Sequence, residues 1–117
     1  MSKQTHPPPL ALTYDSFKRK LKRHDSVVVF MTAHWCNPCK TMYDFWAETK
    51  DNHPEISFYK IDVDESQEVS DSLNVESMPT FVFFYKNREV KRFTGASKTK
   101  LTDSISYINS LRSIESR

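Results

Sequence analysis

The hydrophobic residues fall into runs with two different spacings, one typical of strands and one typical of helices. The run from Val27 to Thr32 is almost wholly apolar, which favours a strand buried on both faces of a sheet. From Asn37 to about Lys50 the apolar residues recur at helical spacing, and Ser97 can cap a final helix with one apolar face. These segments predict a sheet covered by amphipathic helices.

The segments between them supply the remaining elements. Asparagine tolerates the left-handed turn conformation, so Lys86-Asn87-Arg88 predicts a hairpin between the β-rich runs 80–85 and 89–94. The other predicted elements are a short edge strand at 10–12, a helix capped by Thr13 or Asp15, a strand at 56–63 and a short helix at 66–72. The resulting order, β-α-β-α-β-α-β-β-α, predicts an α/β three-layer sandwich in which helices flank a central mixed sheet.

Length and composition limit the classes of protein to which the chain can belong. With 117 residues there is room for one domain, and 27% charged with 38% hydrophobic residues is typical of a soluble globular protein. A net charge of +2, spread along the chain, does not favour nucleic-acid binding. No apolar run approaches the ~20 residues that cross a membrane. Three consecutive prolines predict that residues 1–9 form a disordered tail before a domain at 10–117.

The N-terminal segment and the cysteine content bear on the compartment. The segment lacks the apolar stretch of a signal peptide and the arginine-rich pattern of a transit peptide. The chain has two cysteines, which is a single local pair rather than a framework of disulfides. We therefore expect a reducing compartment, namely the cytoplasm.

The two cysteines, Cys36 and Cys39, lie between the predicted central strand and the helix that follows it. Two intervening residues allow both sulfur atoms to meet when the first cysteine sits at a helix N-terminus. Backbone N–H groups there favour a thiolate over a thiol. Pro38 suits the first helical turn, where its missing N–H has no partner to lose. The pair therefore predicts reversible disulfide chemistry.

Zinc or iron–sulfur binding is the alternative for the same cysteines. Structural zinc needs four ligands, usually as two clustered pairs, and His34 is the one histidine close to the cysteines in sequence. Lys40 stands where haem attachment requires a histidine. We therefore expect no metal and no organic cofactor. We interpret His34 as an exposed loop residue, and the alternative is an imidazolium that favours the thiolate or a base that assists exchange.

Four motifs make the chain resemble thioredoxin over about residues 10–112. They are Ala33-His34-Trp35-Cys36-Asn37-Pro38-Cys39-Lys40, Ile61-Asp62-Val63-Asp64, Ser77-Met78-Pro79-Thr80-Phe81 and Phe93-Thr94-Gly95-Ala96. The resemblance implies a thioredoxin-like sandwich that reduces protein disulfides as a monomer. It also implies electrons from a thioredoxin reductase and targets that include peroxiredoxins.

The resemblance assigns a role to each cysteine and to the residues around them. Cys36 matches the exposed attacking thiolate and Cys39 the buried resolving thiol, with Asn37, Pro38 and Lys40 as supporting residues of the same motif. Two further matches cover the cysteines: Trp35 lies over the disulfide, and Asp64 accepts a hydrogen bond from the Trp35 indole N–H. The last three concern the substrate. Pro79 follows a cis bond, the Met78 backbone pairs with an extended substrate segment, and Gly95 leaves room for that segment.

The chain departs from the family pattern at several positions. Phe30 stands where thioredoxins usually bury an aspartate, which is viewed as the base that deprotonates the resolving thiol through water, and Lys60 thereby loses its expected partner. Asp44 replaces a common helix-kinking proline, which predicts a straighter helix. Asn37 replaces the usual glycine between the cysteines, and Ser77 replaces a cysteine of some animal thioredoxins. Phe30 is the reason to consider an alternative function, a thioredoxin-fold adaptor with weakened redox activity.

Overall fold

A four-stranded mixed sheet lies at the centre of the fold. The structure is a computed structural model that describes residues 6–115. Its elements are α1 (Tyr14–Arg23), β1 (Ser26–Thr32), α2 (Asn37–Lys40), α3 (Tyr43–Asn52), β2 (Ser57–Asp62), α4 (Gln67–Ser72), β3 (Thr80–Tyr85), β4 (Arg88–Thr94) and α5 (Lys98–Glu115). The strand order is β2-β1-β3-β4, with β1 parallel to β2 and both remaining pairs antiparallel. The predicted α/β sandwich with a mixed sheet is confirmed.

Helices cover both faces of this sheet. Successive side chains of a strand point to opposite faces, and the two faces of β3 meet different helices. Phe84 contacts Phe17 of α1, with ring centroids 5.9 Å apart, whereas Phe81 contacts Trp46 of α3 at 6.0 Å. All seven residues of β1 are buried. The apolar run at 27–32 therefore forms a strand in the interior of the sheet, buried on both faces as predicted.

The short elements and turns also follow their sequence signals. Thr13 caps α1 by accepting a hydrogen bond from the N–H of Ser16 at 3.2 Å, and Ser97 caps α5 by accepting one from the N–H of Lys100 at 3.1 Å. The hairpin between β3 and β4 turns through Lys86 and Asn87, whose φ angles are 50° and 68°. These capping and turn predictions are confirmed.

The strand predicted at 10–12 is wrong. Of residues 10–12, only Leu10 pairs with the sheet, through one isolated bridge to Ile61. The N–H of Leu10 donates to the carbonyl of Lys60 at 2.8 Å, and the carbonyl of Leu10 accepts from the N–H of Asp62 at 3.0 Å. The prolines just before Leu10 have no N–H to extend the ladder, and Thr13 already begins the turn into α1.

The single helix predicted from Asn37 to about Lys50 is also wrong, and so is the expectation that it runs straighter. It is divided into α2 and α3 at Thr41 and Met42. The Thr41 hydroxyl donates to the carbonyl of Pro38 at 2.7 Å, which is the carbonyl that a continuous helix would offer to Met42. The N–H of Met42 donates instead to the carbonyl of Cys39 at 3.0 Å.

Part of the predicted Pro-rich tail, residues 1–5, lies outside the described residues. His6, the first described residue, contacts α3: its Nε2 lies 2.7 Å from Oδ1 of Asp44, and its ring lies 5.7 Å from that of Tyr43. The segment from His6 to Leu10 therefore passes from α3 to the edge strand β2.

Candidate active site

Cys36 and Cys39 are joined by a disulfide at the start of α2, with their Cα atoms 5.3 Å apart. Cys36 is the N-terminal cap of α2, and its Sγ accepts a hydrogen bond from the N–H of Cys39 at 3.2 Å. Cys36 is 4% exposed and Cys39 is fully buried. Because α2 has only four residues, this single N–H bond, rather than a long helix dipole, is the local feature that favours a thiolate at Cys36.

The sequence makes this arrangement through the residues between and after the cysteines. Pro38 lies in the first turn of α2, where it loses no hydrogen bond. Asn37, Pro38 and Lys40 are exposed around the buried sulfur atoms, and His34 is exposed in the preceding loop, as expected. The disulfide therefore lies at the edge of the core with polar residues on its outer side.

Trp35 is the large exposed side chain beside the disulfide, with 56% of its surface accessible. Its indole N–H donates to Oδ2 of Asp64 at 2.8 Å, the contact that the sequence predicts. Asp62, which the sequence analysis did not select, supports this contact. Its Oδ1 accepts hydrogen bonds from the N–H groups of Asp64 and Glu65 at 2.8 and 3.1 Å. The signal for it was the Asp-x-Asp spacing at the end of β2, because aspartate side chains often bind backbone N–H groups two residues on.

The peptide bond between Met78 and Pro79 is cis, and Pro79 is hydrogen-bonded to Gly95. The N–H of Gly95 donates to the carbonyl of Pro79 at 2.9 Å, which connects the two loops that flank β3 and β4. Gly95 has φ of +108°, and a Cβ added there would meet no atom within 4 Å. The backbone conformation, rather than crowding inside the chain, therefore requires glycine, and the space beside it is open.

Phe30 is fully buried at the centre of the sheet. Its register partners are Lys60 on β2 and Phe81 on β3, and Phe81 is in turn paired with Phe93 on β4. The rings of Phe30 and Phe81 are stacked with centroids 4.6 Å apart, and those of Phe81 and Phe93 are stacked at 4.8 Å. Trp46 of α3 contacts Phe30 from above at 5.2 Å. An aromatic row thus crosses the sheet at the position where the resemblance to thioredoxin implies a buried carboxylate.

Lys60 ends this row, and it is 9% exposed. No residue of the described range 6–115 forms an ion pair with it; its Nζ lies instead 4.2 Å from the ring centroid of Tyr43. Burial and the nearby Lys50 cation lower the pKa of Lys60. Tyr43 was missed by the sequence analysis; its hydroxyl lies 3.1 Å from that of Thr32, and its ring 5.8 Å from Phe30.

The described residues contain no group of three or more His, Cys, Asp or Glu side chains placed to hold a metal ion. Within the same range, 6–115, none of the helices is long and apolar enough to span a membrane. The chemistry that the site can perform with its own groups is the making and breaking of the Cys36–Cys39 bond.

Known proteins resemble this chain in both sequence and fold. The sequence model of the thioredoxin family matches residues 8–107. Thioredoxin H-type 1 of Nicotiana tabacum is 42% identical over 89 residues, which cover 76% of this chain and 71% of the relative. The thioredoxin of Fasciola hepatica superimposes with a TM-score of 0.81 at 32% identity, covering 86% of this chain and 98% of the other.

A second structural match comes from a study of thiol resolution in yeast mitochondrial 1-Cys peroxiredoxin by the glutathione and thioredoxin systems. It has a TM-score of 0.79 and 31% identity, and covers 84% of this chain and 92% of the other. None of these matches favours the adaptor alternative. The chain therefore belongs to the thioredoxin family and is a thiol–disulfide oxidoreductase that reduces protein disulfides.

Proposed function

We propose that Cys36 is the attacking thiolate and Cys39 the resolving thiol in this reduction. The observation that carries the assignment is their asymmetry: Cys36 keeps 4% of its surface exposed and accepts a backbone N–H bond, whereas Cys39 has no accessible surface. A protein disulfide can reach Cys36 directly, but it cannot reach Cys39 until the first exchange has occurred.

The cycle transfers two electrons in two displacements. The Cys36 thiolate attacks one sulfur of the target disulfide, that disulfide breaks, and the departing sulfur leaves as a thiolate that takes up a proton. The Cys39 thiolate then attacks the sulfur of Cys36, which breaks the mixed disulfide and releases the second thiol of the target. The target is reduced, and the Cys36–Cys39 disulfide reforms without a metal or organic cofactor.

The surface that receives the target consists of Trp35, Met78, Pro79 and Gly95. Trp35 offers an exposed aromatic face whose orientation is held by Asp64, and the open space beside Gly95 leaves room for an extended backbone. We assign the backbone of Met78 as the partner of that extended segment. Asn37, Pro38 and Lys40 surround the cysteines and tune their reactivity.

The partners follow from the family. We propose that a thioredoxin reductase returns the disulfide to the dithiol and that peroxiredoxins are among the targets, which the similarity to a chain studied with a yeast 1-Cys peroxiredoxin supports. A monomer in the cytoplasm, acting without nucleic acid or membrane, is consistent with the modest net charge and the single cysteine pair.

Paired serine variants test the roles of the two cysteines. Cys39→Ser should accumulate a mixed disulfide with a peroxiredoxin or with insulin, because the second displacement is blocked; Cys36→Ser should trap none. Each variant is the matched control of the other. Trapping by Cys36→Ser alone would reverse the assignment. In the natural chain, insulin reduction with NADPH and a thioredoxin reductase should continue over many turnovers; a single turnover would contradict the reductase as electron donor.

A further inference from the structure

A cavity of about 280 Å³ lies at the β2 edge of the sheet, between α3 and the segment from His6 to Leu10. Its walls are largely apolar. Leu10 and Pro8 form one side, and Trp46 and Phe58, whose ring centroids are 5.1 Å apart, form the other. The volume is near the lower end of the ~300–1,000 Å³ typical of ligand pockets, so it suits a compound of about ten non-hydrogen atoms.

Two lysines line this largely apolar cavity, Lys50 from α3 and Lys60 from β2, and its other polar lining residues are His6 and Tyr59. No carboxylate among residues 6–115 forms an ion pair with either of them. Two acids on the same elements have other partners: Asp44 of α3 is bound to His6, and Asp62 of β2 accepts two backbone N–H bonds. Two cations therefore line one largely apolar cavity without an ion-pair partner among the described residues: Lys60 is buried and Lys50 is exposed to solvent at its rim.

The Lys60 ammonium has hydrogen-bond donors that no described residue uses. The Tyr43 ring covers one side of it at 4.2 Å, and no described residue accepts a hydrogen bond from its three N–H donors. Burial of a cation without such acceptors is unfavourable, and an anion in the cavity would remove that cost. The pKa of Lys60, which burial and Lys50 hold below its usual value, would then rise.

We propose that this cavity is a binding site for a small carboxylate with an apolar ring or short chain. The carboxylate binds between Lys60 and Lys50, and the apolar part packs against Trp46 and Phe58. The site is separate from the Trp35–Pro79–Gly95 surface assigned to protein substrates and does not depend on that assignment. The site selects for compounds that have both a charge and an apolar part. An uncharged analogue cannot form the ion pair with the lysines, and a bare anion cannot make the apolar contact with Trp46 and Phe58.

Phenylacetate is a suitable probe, and phenylacetamide has the same shape without the charge. We would titrate each into the oxidised full-length chain and follow backbone amide signals by NMR. Phenylacetate should shift signals of Trp46, Lys50 and β2, with a Kd of about 0.1–1 mM. Phenylacetamide and inorganic phosphate should each bind with a Kd at least about tenfold higher than that of phenylacetate. A Kd for phenylacetamide equal to that of phenylacetate would show that the lysines do not recognise the carboxylate. A Kd for phosphate equal to that of phenylacetate would show that packing against Trp46 and Phe58 does not contribute to binding.

Variants locate the site. Lys60→Met keeps the aliphatic stem and should weaken phenylacetate binding about tenfold, and Lys50→Gln should weaken it to a smaller extent. The matched control is Lys91→Met, because Lys91 also lies over an aromatic ring, Tyr107, at 5.3 Å but on the opposite edge strand. It should leave the Kd unchanged. Unchanged binding in Lys60→Met, or amide shifts centred on Trp35 instead of β2, would refute the proposal.

Discussion

Phe30→Asp tests the importance of the aromatic row at the centre of the sheet. Phe30 is fully buried, is stacked on Phe81 at 4.6 Å and is contacted by Trp46 at 5.2 Å and Tyr43 at 5.8 Å. Truncating a buried phenylalanine costs about 3–5 kcal/mol, and burial of a polar group without full hydrogen bonding adds about 1–3 kcal/mol. Lys60, the register partner of Phe30 on β2, can pair with the new carboxylate and offset part of this loss.

The free energy of unfolding should therefore fall by about 3–6 kcal/mol, which is a large part of the ~5–15 kcal/mol of a typical domain. Urea unfolding of the oxidised chain at pH 7 measures it. Phe30→Leu, which stays apolar, should lose less, and Phe30→Asn should lose an amount similar to Phe30→Asp. A urea midpoint that is the same in Phe30→Asp and the natural chain would show that position 30 does not support the core in this way.

The same variants separate the effect on stability from an effect on chemistry. The carboxylate at position 30 should accept the proton of Cys39, so the Cys39-dependent release of a mixed disulfide should be faster in Phe30→Asp than in Phe30→Asn. Stopped-flow measurement of that release near pH 6 and pH 8 gives the comparison. The gain should be larger at pH 6, where hydroxide is scarce. Equal rates in the two variants at both pH values would refute the role of position 30 as the site of a base.

Substitutions at three other positions test the burial of Lys60, the backbone conformation of Gly95 and the contact of Asp64. Lys60→Met should raise the urea midpoint at pH 7, because burial and Lys50 depress the pKa of Lys60 in the folded chain. The natural protein therefore gains stability as the pH rises from this folded-state pKa towards the unfolded-state pKa. The stability advantage of the variant should accordingly shrink at alkaline pH. An advantage that is constant with pH would contradict this. Gly95→Ala should lower the free energy of unfolding by about 1–3 kcal/mol, because alanine is strained at a φ of +108°. No atom lies within 4 Å of the added methyl group, so the loss would come from the backbone alone. An unchanged urea midpoint would refute this reasoning. Asp64→Ala should change stability by less than about 1 kcal/mol but lower the fluorescence anisotropy of Trp35, whereas Asp64→Asn, which keeps an acceptor oxygen, should preserve it.

The reactivity and much of the fold were predictable because their signals are local in sequence. The apolar run of β1 can be satisfied only by burial on both faces, and Thr13, Ser97 and Asn87 act on backbone groups within three residues of themselves. The cysteine pair carries its own chemistry for the same reason, since two intervening residues bring the sulfur atoms together. The contact of Trp35 with Asp64 was predicted from family resemblance, and the structure contains it.

The tertiary structure decided features that depend on competition between groups or on residues distant in sequence. At the break between α2 and α3 the carbonyl of Pro38 accepts from the Thr41 hydroxyl and the N–H of Met42 donates to the carbonyl of Cys39, and helical periodicity does not record such a local change of hydrogen-bond partners. The replacement partner of Lys60 is Tyr43, which comes from another element. The sheet register that places Phe30 beside Lys60 requires β1 and β2 to pair in parallel across an intervening helical segment. The sequence shows that a carboxylate is missing at position 30; only packing across three elements determines what stabilises the fold in its place.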